Sequence, residues 1–130
     1  MKKIILPFLL CLITTSVFAD IITLRTNETQ RYSKWSESTV VFEIHQTITF
    51  YNDEFVNIET NKSQYYSGMK SFSGRYTFIR SENVYDDIKG RGVMFYLKKG
   101  NIVYAMAIYE DYIIMTGSDD NDSYIYTFYF

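Results

Sequence analysis

The hydrophobic positions of this chain recur at every second residue over long stretches, a period that is typical of half-buried β-strands. The pattern is clearest over residues 92–117, where it begins with Val93, Phe95 and Leu97. The pair Gly100 and Asn101 interrupts it and suits a tight turn with positive φ, after which the same alternation resumes. This stretch therefore predicts neighbouring antiparallel strands joined by short turns.

A second turn in the same stretch indicates how its last two strands pair. If residues 110–111 form a two-residue turn, Ile108 lies opposite Ile113. The same register places Met106 opposite Met115. Apolar side chains then share one face of all three strands, so we predict a three-stranded meander.

Residues 40–50 show the same period with one polar exception. Every even-numbered position from Val40 to Phe50 is apolar except Gln46. The odd-numbered positions 43–49 are polar or charged. The pattern predicts one or two half-buried strands with a bend near Gln46.

Register decides the length of the turn that follows, because a one-residue slip moves every side chain of a strand to the wrong face. A two-residue turn after Tyr51 would place Ile48 opposite Asn57. A three-residue turn over residues 52–54 instead places Ile48 opposite Ile58. We therefore predict the longer turn.

These patterns give about eight predicted strands. The strands cover residues 21–26, 39–50, 55–60, 72–80, 92–98, 102–109, 112–117 and 123–130. Residues 27–38 form a polar connection with room for a short helix, residues 61–70 form another connection, and residues 82–91 form an exposed loop. Gly74 lies inside a strand and suggests a bulge or kink. Short strands joined by hairpins predict an all-β protein, either a small antiparallel β-barrel or a β-sandwich.

Three features of this layout follow one another along the chain: Trp35 before the first long strand, the hairpin over residues 47–55, and residues 74–76 at the start of another strand. This order is similar to the layout of small bacterial lipocalin-like barrels. The chain departs from their pattern at Ser33, where a glycine usually stands two residues before the tryptophan. The resemblance implies a barrel rather than a sandwich, and it implies no functional residue.

The beginning of the chain has the composition of a secretory signal peptide. Lys2 and Lys3 provide a positive start, and the apolar run over residues 4–13 is shorter than the ~20 residues that span a bilayer. Small residues at the end of the segment then suit signal peptidase. We therefore predict a signal peptide over residues 1–19, a single β-rich domain over residues 20–130, and a bacterial protein exported to the periplasm or beyond the cell.

Removal of the signal peptide would change the cysteine content and the net charge of the chain, and both changes exclude some classes of protein. The only cysteine, Cys11, lies in this segment, so the exported domain would hold itself together without a disulfide. Loss of Lys2 and Lys3 lowers Lys and Arg from 13 to 11 against 15 Asp and Glu, which gives a formal net charge of −4. An acidic domain lacks the basic surface that phosphate contacts require, so we exclude a nucleic-acid partner.

Few residues suit catalysis or metal binding. His45 is the single histidine, and the pattern places it on the polar side of its strand, where a solvent-facing histidine is the default. The acidic pairs at positions 86–87, 110–111 and 119–120 lie in predicted turns. Residues 119–123 begin like a calcium-binding loop but lack the glycine and the final glutamate that such a loop needs. We therefore predict no enzyme activity, no cofactor and no metal site.

Aromatic residues outside the alternating faces are the remaining candidates for a site: Trp35, Tyr65, Tyr66 and Tyr85. Tyrosine and tryptophan are enriched where proteins bind one another. We predict that these residues contact a ligand or partner. The favoured function is an exported binding protein, of the inhibitor or immunity type, that acts on a protein partner through its loops.

Two alternatives stay open, beside a hydrolase that would require His45 in a cleft with two carboxylates. A lipocalin-like carrier would hold a small apolar ligand, although an eight-stranded barrel is filled by side chains or holds one small ligand. A small outer-membrane barrel would explain the alternating aromatic residues over residues 124–130. Residues 55–60 are shorter than the ~9–11 residues of a membrane-spanning strand, so membrane insertion is less favoured.

Overall fold

A computed structural model of the protein describes residues 21–52, 54–61, 71–118 and 124–130. The predicted signal peptide, Tyr65 and Tyr66 lie outside the described residues. Within the described ranges, no helix has the length and hydropathy that a membrane span requires. In chain order the strands are β1 (Ile21–Arg25), β2 (Glu28–Ser33), β3 (Ser38–Phe42), β4 (Gln46–Tyr51), β5 (Phe55–Thr60), β6 (Gly74–Asp86), β7 (Gly90–Lys99), β8 (Ile102–Ile108), β9 (Tyr112–Gly117) and β10 (Tyr124–Tyr129).

These strands form one antiparallel sheet of ten strands, so the prediction of an all-β antiparallel fold is confirmed. The order is β1-β4-β5-β6-β7-β8-β9-β10-β2-β3, with β1 and β3 at its two ends. From β4 to β10, strands that are neighbours in the chain are also neighbours in the sheet, as short hairpin turns require. No pairing joins the two end strands in the described residues, and this order does not by itself distinguish a barrel from a sandwich.

Two interruptions explain why the sheet has ten strands rather than about eight. Residues 43–45 separate β3 from β4, at the bend that was predicted near Gln46. Thr26 and Asn27 separate β1 from β2. Here the Thr26 N–H donates to the Gln46 carbonyl at 2.9 Å, whereas the Asn27 N–H donates to the Tyr129 carbonyl at 2.7 Å. The chain therefore changes its hydrogen-bonding partner between Thr26 and Asn27, from the start of β4 to the end of β10.

The predicted registers of the hairpins are confirmed. Ile48 pairs with Ile58 across β4 and β5, as the three-residue turn requires. Ile108 pairs with Ile113 across β8 and β9, as the two-residue turn requires. Gly100, in the turn between β7 and β8, has a φ of 63°, which glycine adopts without steric strain.

One face of the sheet carries the hydrophobic core. Along most strands every second side chain is buried, as expected for strands with one buried face. Burial of apolar area is the main favourable term in folding. The hydrophobic side chains that form this core cluster are Leu24, Phe42, Ile44, Ile48, Phe50, Val56, Ile58, Phe72, Tyr76, Val93, Phe95, Leu97, Tyr104, Met106, Ile108, Ile113, Met115, Tyr126 and Phe128.

The sheet curves so strongly that distant strands meet across this core. The rings of Phe50 in β4 and Phe95 in β7 lie 5.1 Å apart, although β5 and β6 separate these strands in the sheet. Phe72, which precedes β6, packs edge-on against Tyr126 and Phe128 of β10, at ring-centroid distances of 4.9 and 5.3 Å. Edge-to-face contacts are a favoured geometry for aromatic pairs. The core is therefore one contiguous cluster.

A buried polar cluster lies beside the core at the two bends. The Thr60 hydroxyl donates to Oε1 of Gln46 at 2.8 Å, and the Gln46 side-chain amide donates to the Thr29 hydroxyl at 3.3 Å. The backbone N–H of Gln46 donates to Oγ1 of Thr26 at 3.1 Å. Oγ1 of Thr60 also accepts from the N–H of Phe72 at 3.1 Å. These bonds satisfy groups whose burial would otherwise be costly, and they tie both bends to β5.

The prediction for residues 27–38, a polar connection with room for a helix, is wrong. Residues Glu28–Ser33 form β2, and residues 34–37 form the turn into β3. β2 pairs with β10 along one edge and with β3 along the other. Its single fully buried side chain is polar, since Thr29 donates to the Ile44 carbonyl at 3.0 Å. Backbone pairing rather than an apolar pattern therefore stabilises this strand.

The exposed loop predicted over residues 82–91 is also wrong. β6 continues to Asp86 and β7 begins at Gly90, so the connection is only residues 87–89. Pairing between the two strands continues from Arg80 to Asp86 without a gap. The sequence pattern does not predict a strand here, because the charged and amide side chains show no hydrophobic period although the backbone is paired.

The irregularity predicted at Gly74 lies elsewhere. The register of β6 against β7 shifts between Phe78 and Arg80. Gly74 instead begins the strand with a φ of 141°, and a Cβ at this position would lie 2.8 Å from the Lys99 side chain. The Lys99 ammonium donates to the Ser73 carbonyl at 2.6 Å, so glycine allows a close contact that fixes the start of β6.

Candidate functional site

The hairpin between β6 and β7 extends beyond the neighbouring strands. β5 pairs with β6 only as far as Thr77, and β8 pairs with β7 only from Val93 onwards. Among the described residues, positions 80–86 and 90–92 therefore find strand partners only in each other. We call residues 79–92 the ribbon.

Asp86 holds the turn at the tip of the ribbon. Its Oδ1 accepts hydrogen bonds from the backbone N–H groups of Lys89 at 2.9 Å and Ile88 at 2.8 Å. These two bonds, with a smaller effect of the Lys89 charge, hold the pKa of the Asp86 carboxyl below its usual value. Gly90 follows with a φ of 83°, a left-handed conformation that suits glycine. The tip is thus fixed by local hydrogen bonds.

Three side chains brace one face of the ribbon. The Tyr96 hydroxyl donates to Oε1 of Glu82 at 2.9 Å. Nη1 of Arg80 donates to Oε2 of Glu82 at 3.3 Å, and the guanidinium carbon lies 3.9 Å from the centre of the Tyr96 ring. Exposed ion pairs contribute little individually. Here three contacts among three side chains restrict the same stretch of both strands.

The base of the ribbon packs against tyrosine rings. A Cβ at Gly92 would lie 2.8 Å from ring carbons of Tyr109, so this ring rests on the backbone of β7. The Tyr109 ring lies 5.8 Å from that of Tyr112, which lies 5.6 Å from that of Tyr129. Burial, followed by the neighbouring Tyr129 and Tyr109 hydroxyls, raises the pKa of Tyr112 above its usual value. Tyr112 therefore belongs to a partly buried cluster of tyrosine rings at the base of the ribbon.

The outer part of the ribbon exposes side chains that suit binding. Ile88 at the tip is 94% exposed, and Tyr85 is 70% exposed. Tyr85 pairs directly opposite Arg91, so the two side chains share one face. Tyrosine and arginine are among the residue types that most often dominate binding energy. A cleft of about 440 Å³ at this position is lined by Asn83, Val84, Tyr85, Arg91 and Gly92.

The predicted site residues do not form a single site. Trp35 is 87% exposed in the turn between β2 and β3, which lies beside the start of β10. The ribbon lies at the opposite end of the sheet, beside the turn between β8 and β9. Of the four predicted residues, only Tyr85 belongs to the ribbon, and Tyr65 and Tyr66 lie outside the described residues.

Asn83, Ile88 and Arg91 were not predicted as site residues, because the prediction selected only aromatic residues outside the alternating faces. A signal for the ribbon is nevertheless present in the sequence. Asp86 and Gly90 flank three residues, a spacing that suits a hairpin turn with an aspartate cap and a left-handed glycine. This turn signal places the two strands of the ribbon opposite each other even without a hydrophobic period.

His45, the single histidine, lies half-buried at the bend between β3 and β4. Its Nδ1 is 3.1 Å from the backbone oxygen of Thr26. In the part of the chain that the structure describes, no group of three histidine, cysteine, aspartate or glutamate side chains is placed to hold a metal ion. The histidine thus takes part in joining the two bends.

No protein family, curated protein or solved structure matches this chain. A functional interpretation therefore depends on the contacts, exposure and charge of the ribbon itself.

Proposed function

We propose that this chain is an exported, non-enzymatic binding protein that contacts a protein partner through the ribbon, in the manner of an inhibitor or immunity protein. The observation that carries the proposal is a projecting hairpin with exposed Ile88 at its tip and Tyr85 beside Arg91 on one face. Single exposed apolar residues are ordinary on protein surfaces. Their grouping on a projection beside a cleft is typical of interaction sites.

The rigidity of the ribbon supports binding to a protein. Immobilising a flexible loop on binding consumes part of the interaction energy, and a preformed surface avoids that loss. The Asp86 turn and the contacts among Arg80, Glu82 and Tyr96 order the ribbon before any partner arrives. The cleft of about 440 Å³ falls within the range of about 300–1,000 Å³ that binding pockets occupy. It therefore suits one or two side chains projecting from a partner.

The fold that supports the ribbon is, on this proposal, an eight-stranded barrel. β1 and β2 are consecutive parts of one strand, and β3 and β4 are consecutive parts of the next, separated only by the two bends. β1 pairs with β4 and β2 with β3, while β2 also pairs with β10. If each interrupted strand counts once, the last strand of the chain pairs with the first. This continuity supports a barrel over a sandwich.

The packed interior favours a protein partner over a small apolar ligand. The fully buried rings of Phe50, Phe72 and Tyr76 occupy the centre, as in small barrels whose interior is filled by side chains. Glu59 and Arg75 are exposed on the opposite face of the sheet. Charges on an outward face disfavour contact with lipid, which weighs against the outer-membrane alternative.

Replacing Tyr85, Ile88 and Arg91 together by serine is expected to weaken partner binding at least about 100-fold, because hot-spot side chains often contribute about 2 kcal/mol or more each. The tagged full chain is used to capture partners from the envelope and growth medium of the native cells. The affinity of the captured protein for the parent chain and for the triple variant is then compared by surface plasmon resonance.

The matched control for this experiment is Trp35→Ser, at the opposite end of the sheet. It removes one exposed aromatic side chain and is expected to leave the affinity within about twofold. Thermal unfolding of every variant checks that the fold is retained. Equal affinities for the parent chain and the triple variant, or a loss caused by Trp35→Ser alone, would contradict binding through the ribbon.

Export is expected to leave a chain that begins at Asp20 and is recovered from the periplasm or medium without detergent. Sequencing of the amino terminus after expression of the full gene in bacteria measures the first property. Cell fractionation with and without detergent measures the second. A chain that retains Met1 in the cytosolic fraction would contradict export, and recovery only with detergent would favour the outer-membrane alternative.

A further inference from the structure

One edge of the ribbon has no partner strand in the described residues. The last link between β6 and the β5 side is the bond from the N–H of Phe78 to the Glu54 carbonyl at 3.1 Å. The register shift before Arg80 lies at the same point. Beyond it, residues 80–86 pair with β7 on one side only. Such an edge presents backbone N–H and C=O groups that can pair with another strand.

We infer that this edge pairs with the same edge of a second copy of the chain, which forms a symmetric dimer. A two-fold axis perpendicular to the ribbon makes the two edges antiparallel and the contact isologous. The residue at the axis then lies opposite its own counterpart, and residues equally far from the axis on either side lie opposite each other. Only registers centred near the middle of residues 80–86 use nearly the whole edge.

Charge distinguishes the two registers that meet this condition. With the axis at Asn83, Arg80 of each copy lies opposite Asp86 of the other. With the axis at Glu82, the two Glu82 carboxylates lie opposite each other. Opposite charges across a strand pair stabilise it and like charges destabilise it. The register centred on Asn83 is therefore favoured.

The side chains that this register brings together are placed to interact. Arg80 and Asp86 lie on the same face of β6, because they are six positions apart along the strand, and both are partly exposed. Arg80 uses Nη1 to contact Glu82, but a guanidinium has five N–H donors and can hold a second carboxylate. Oδ1 of Asp86 accepts the turn bonds, which leaves Oδ2, 3.8 Å from the Lys89 ammonium, to accept from the second copy.

The dimer is expected to be weak. A single strand pair of this length buries less than the ~1,200 Å² of standard protein interfaces. Association should therefore depend on concentration, and sedimentation velocity from about 5 µM to about 1 mM covers the relevant range of dissociation constants. Ile88 lies outside the paired stretch, so the tip of the ribbon stays available to a protein partner.

Exchanging the charges tests both the surface and its register. The variants Arg80→Glu and Asp86→Arg each place like charges opposite each other, so each is expected to dimerise at least tenfold more weakly than the parent chain. When the two variants are mixed, every introduced charge faces an opposite charge in the other copy. The mixture is therefore expected to form a heterodimer at least tenfold stronger than the dimer of either variant alone, although Asp86→Arg also removes the bonds that Asp86 accepts in the turn.

Lys98→Glu is the matched control, because Lys98 is exposed on β7 where this strand is paired on both edges. This reversal is expected to leave dimerisation within about twofold. Circular dichroism and thermal unfolding of each variant verify that the ribbon still forms. A parent chain that stays monomeric over the whole range would overturn the inference. Failure of the mixed variants to associate, when both keep the circular dichroism spectrum and the unfolding midpoint of the parent chain, would also overturn it.

Crosslinking measures the register without changing a charge at Arg80 or Asp86. In a full chain that carries Cys11→Ser, the variant Asn83→Cys places two thiols opposite each other at the axis. Oxidation is expected to crosslink it at least tenfold faster than Glu82→Cys, whose thiols lie opposite Val84 of the other copy. Faster crosslinking of Glu82→Cys would overturn the proposed register, and equal slow rates for both would overturn the dimer.

Discussion

Replacing Phe72 by alanine is expected to lower the free energy of unfolding by about 3–5 kcal/mol, as large aromatic truncations in cores do. The side chain is 1% exposed, and its ring contacts those of Tyr104, Tyr126 and Phe128. The cavity would lie between the segment that precedes β6 and strand β10, which are remote in the sheet, so local rearrangement cannot fill it. Domains are stable by only about 5–15 kcal/mol, so this loss is a large fraction of the total.

Urea unfolding measures this loss, with Phe55→Ala as the matched control. Phe55 is half-buried on the other face of the sheet, where its ring lies 4.6 Å from that of Tyr51 and 4.1 Å from the Arg75 guanidinium. These surface contacts predict a loss of about 1 kcal/mol for the control. Equal losses for the two variants would contradict the role of Phe72 in joining distant strands.

The parts of the fold that could be predicted are those where a hydrophobic period and a short turn act together. Between β8 and β9, a two-residue turn allows one register that keeps Ile108 and Ile113 on the same face. Any slip would expose the apolar side of a strand. The same argument predicts the pairing of Ile48 with Ile58. Both registers are fixed by residues that are close in the chain, so the sequence contains the information needed.

The parts that could not be predicted depend on partners far along the chain. β2 has little apolar character, and it is a strand because β10 and β3 supply hydrogen bonds on both edges. Its buried residue, Thr29, is compatible with the core only because Ile44 and Gln46 provide polar partners there. No local pattern indicates such partners. Backbone pairing likewise explains why the ribbon consists of two strands, although its side chains show no hydrophobic period.

The candidate site was predicted in part. Tyr85 is a candidate because it is an aromatic residue outside the alternating faces, and the structure leaves it exposed on the ribbon. The same argument selects Trp35, which lies at the opposite end of the sheet. When the predicted strand boundaries are wrong, the sequence does not show which turns lie at the same end of the sheet. Arg91 becomes a candidate only when its pairing with Tyr85 is known.

Replacing Gln46 by leucine is expected to lower the free energy of unfolding by about 2–3 kcal/mol, even though the position belongs to an apolar face. Leucine removes the acceptor of the Thr60 hydroxyl and the donor to Thr29. A buried donor without an acceptor loses its interaction with water and gains nothing in return. The gain in apolar area is too small to offset this loss, so the variant should unfold at a lower urea concentration.

Gln30→Leu is the control, because Gln30 is only partly buried on β2 and donates to Glu28 at 2.8 Å. It is expected to change stability by less than about 0.5 kcal/mol. Combining Gln46→Leu with Thr60→Val then separates a hydrogen-bond network from simple packing. The double variant removes both partners of one bond, so its loss should be at least about 1 kcal/mol smaller than the sum of the single losses. Additive losses would mean that the two side chains act independently and that the bond between Thr60 and Gln46 does not stabilise the bends.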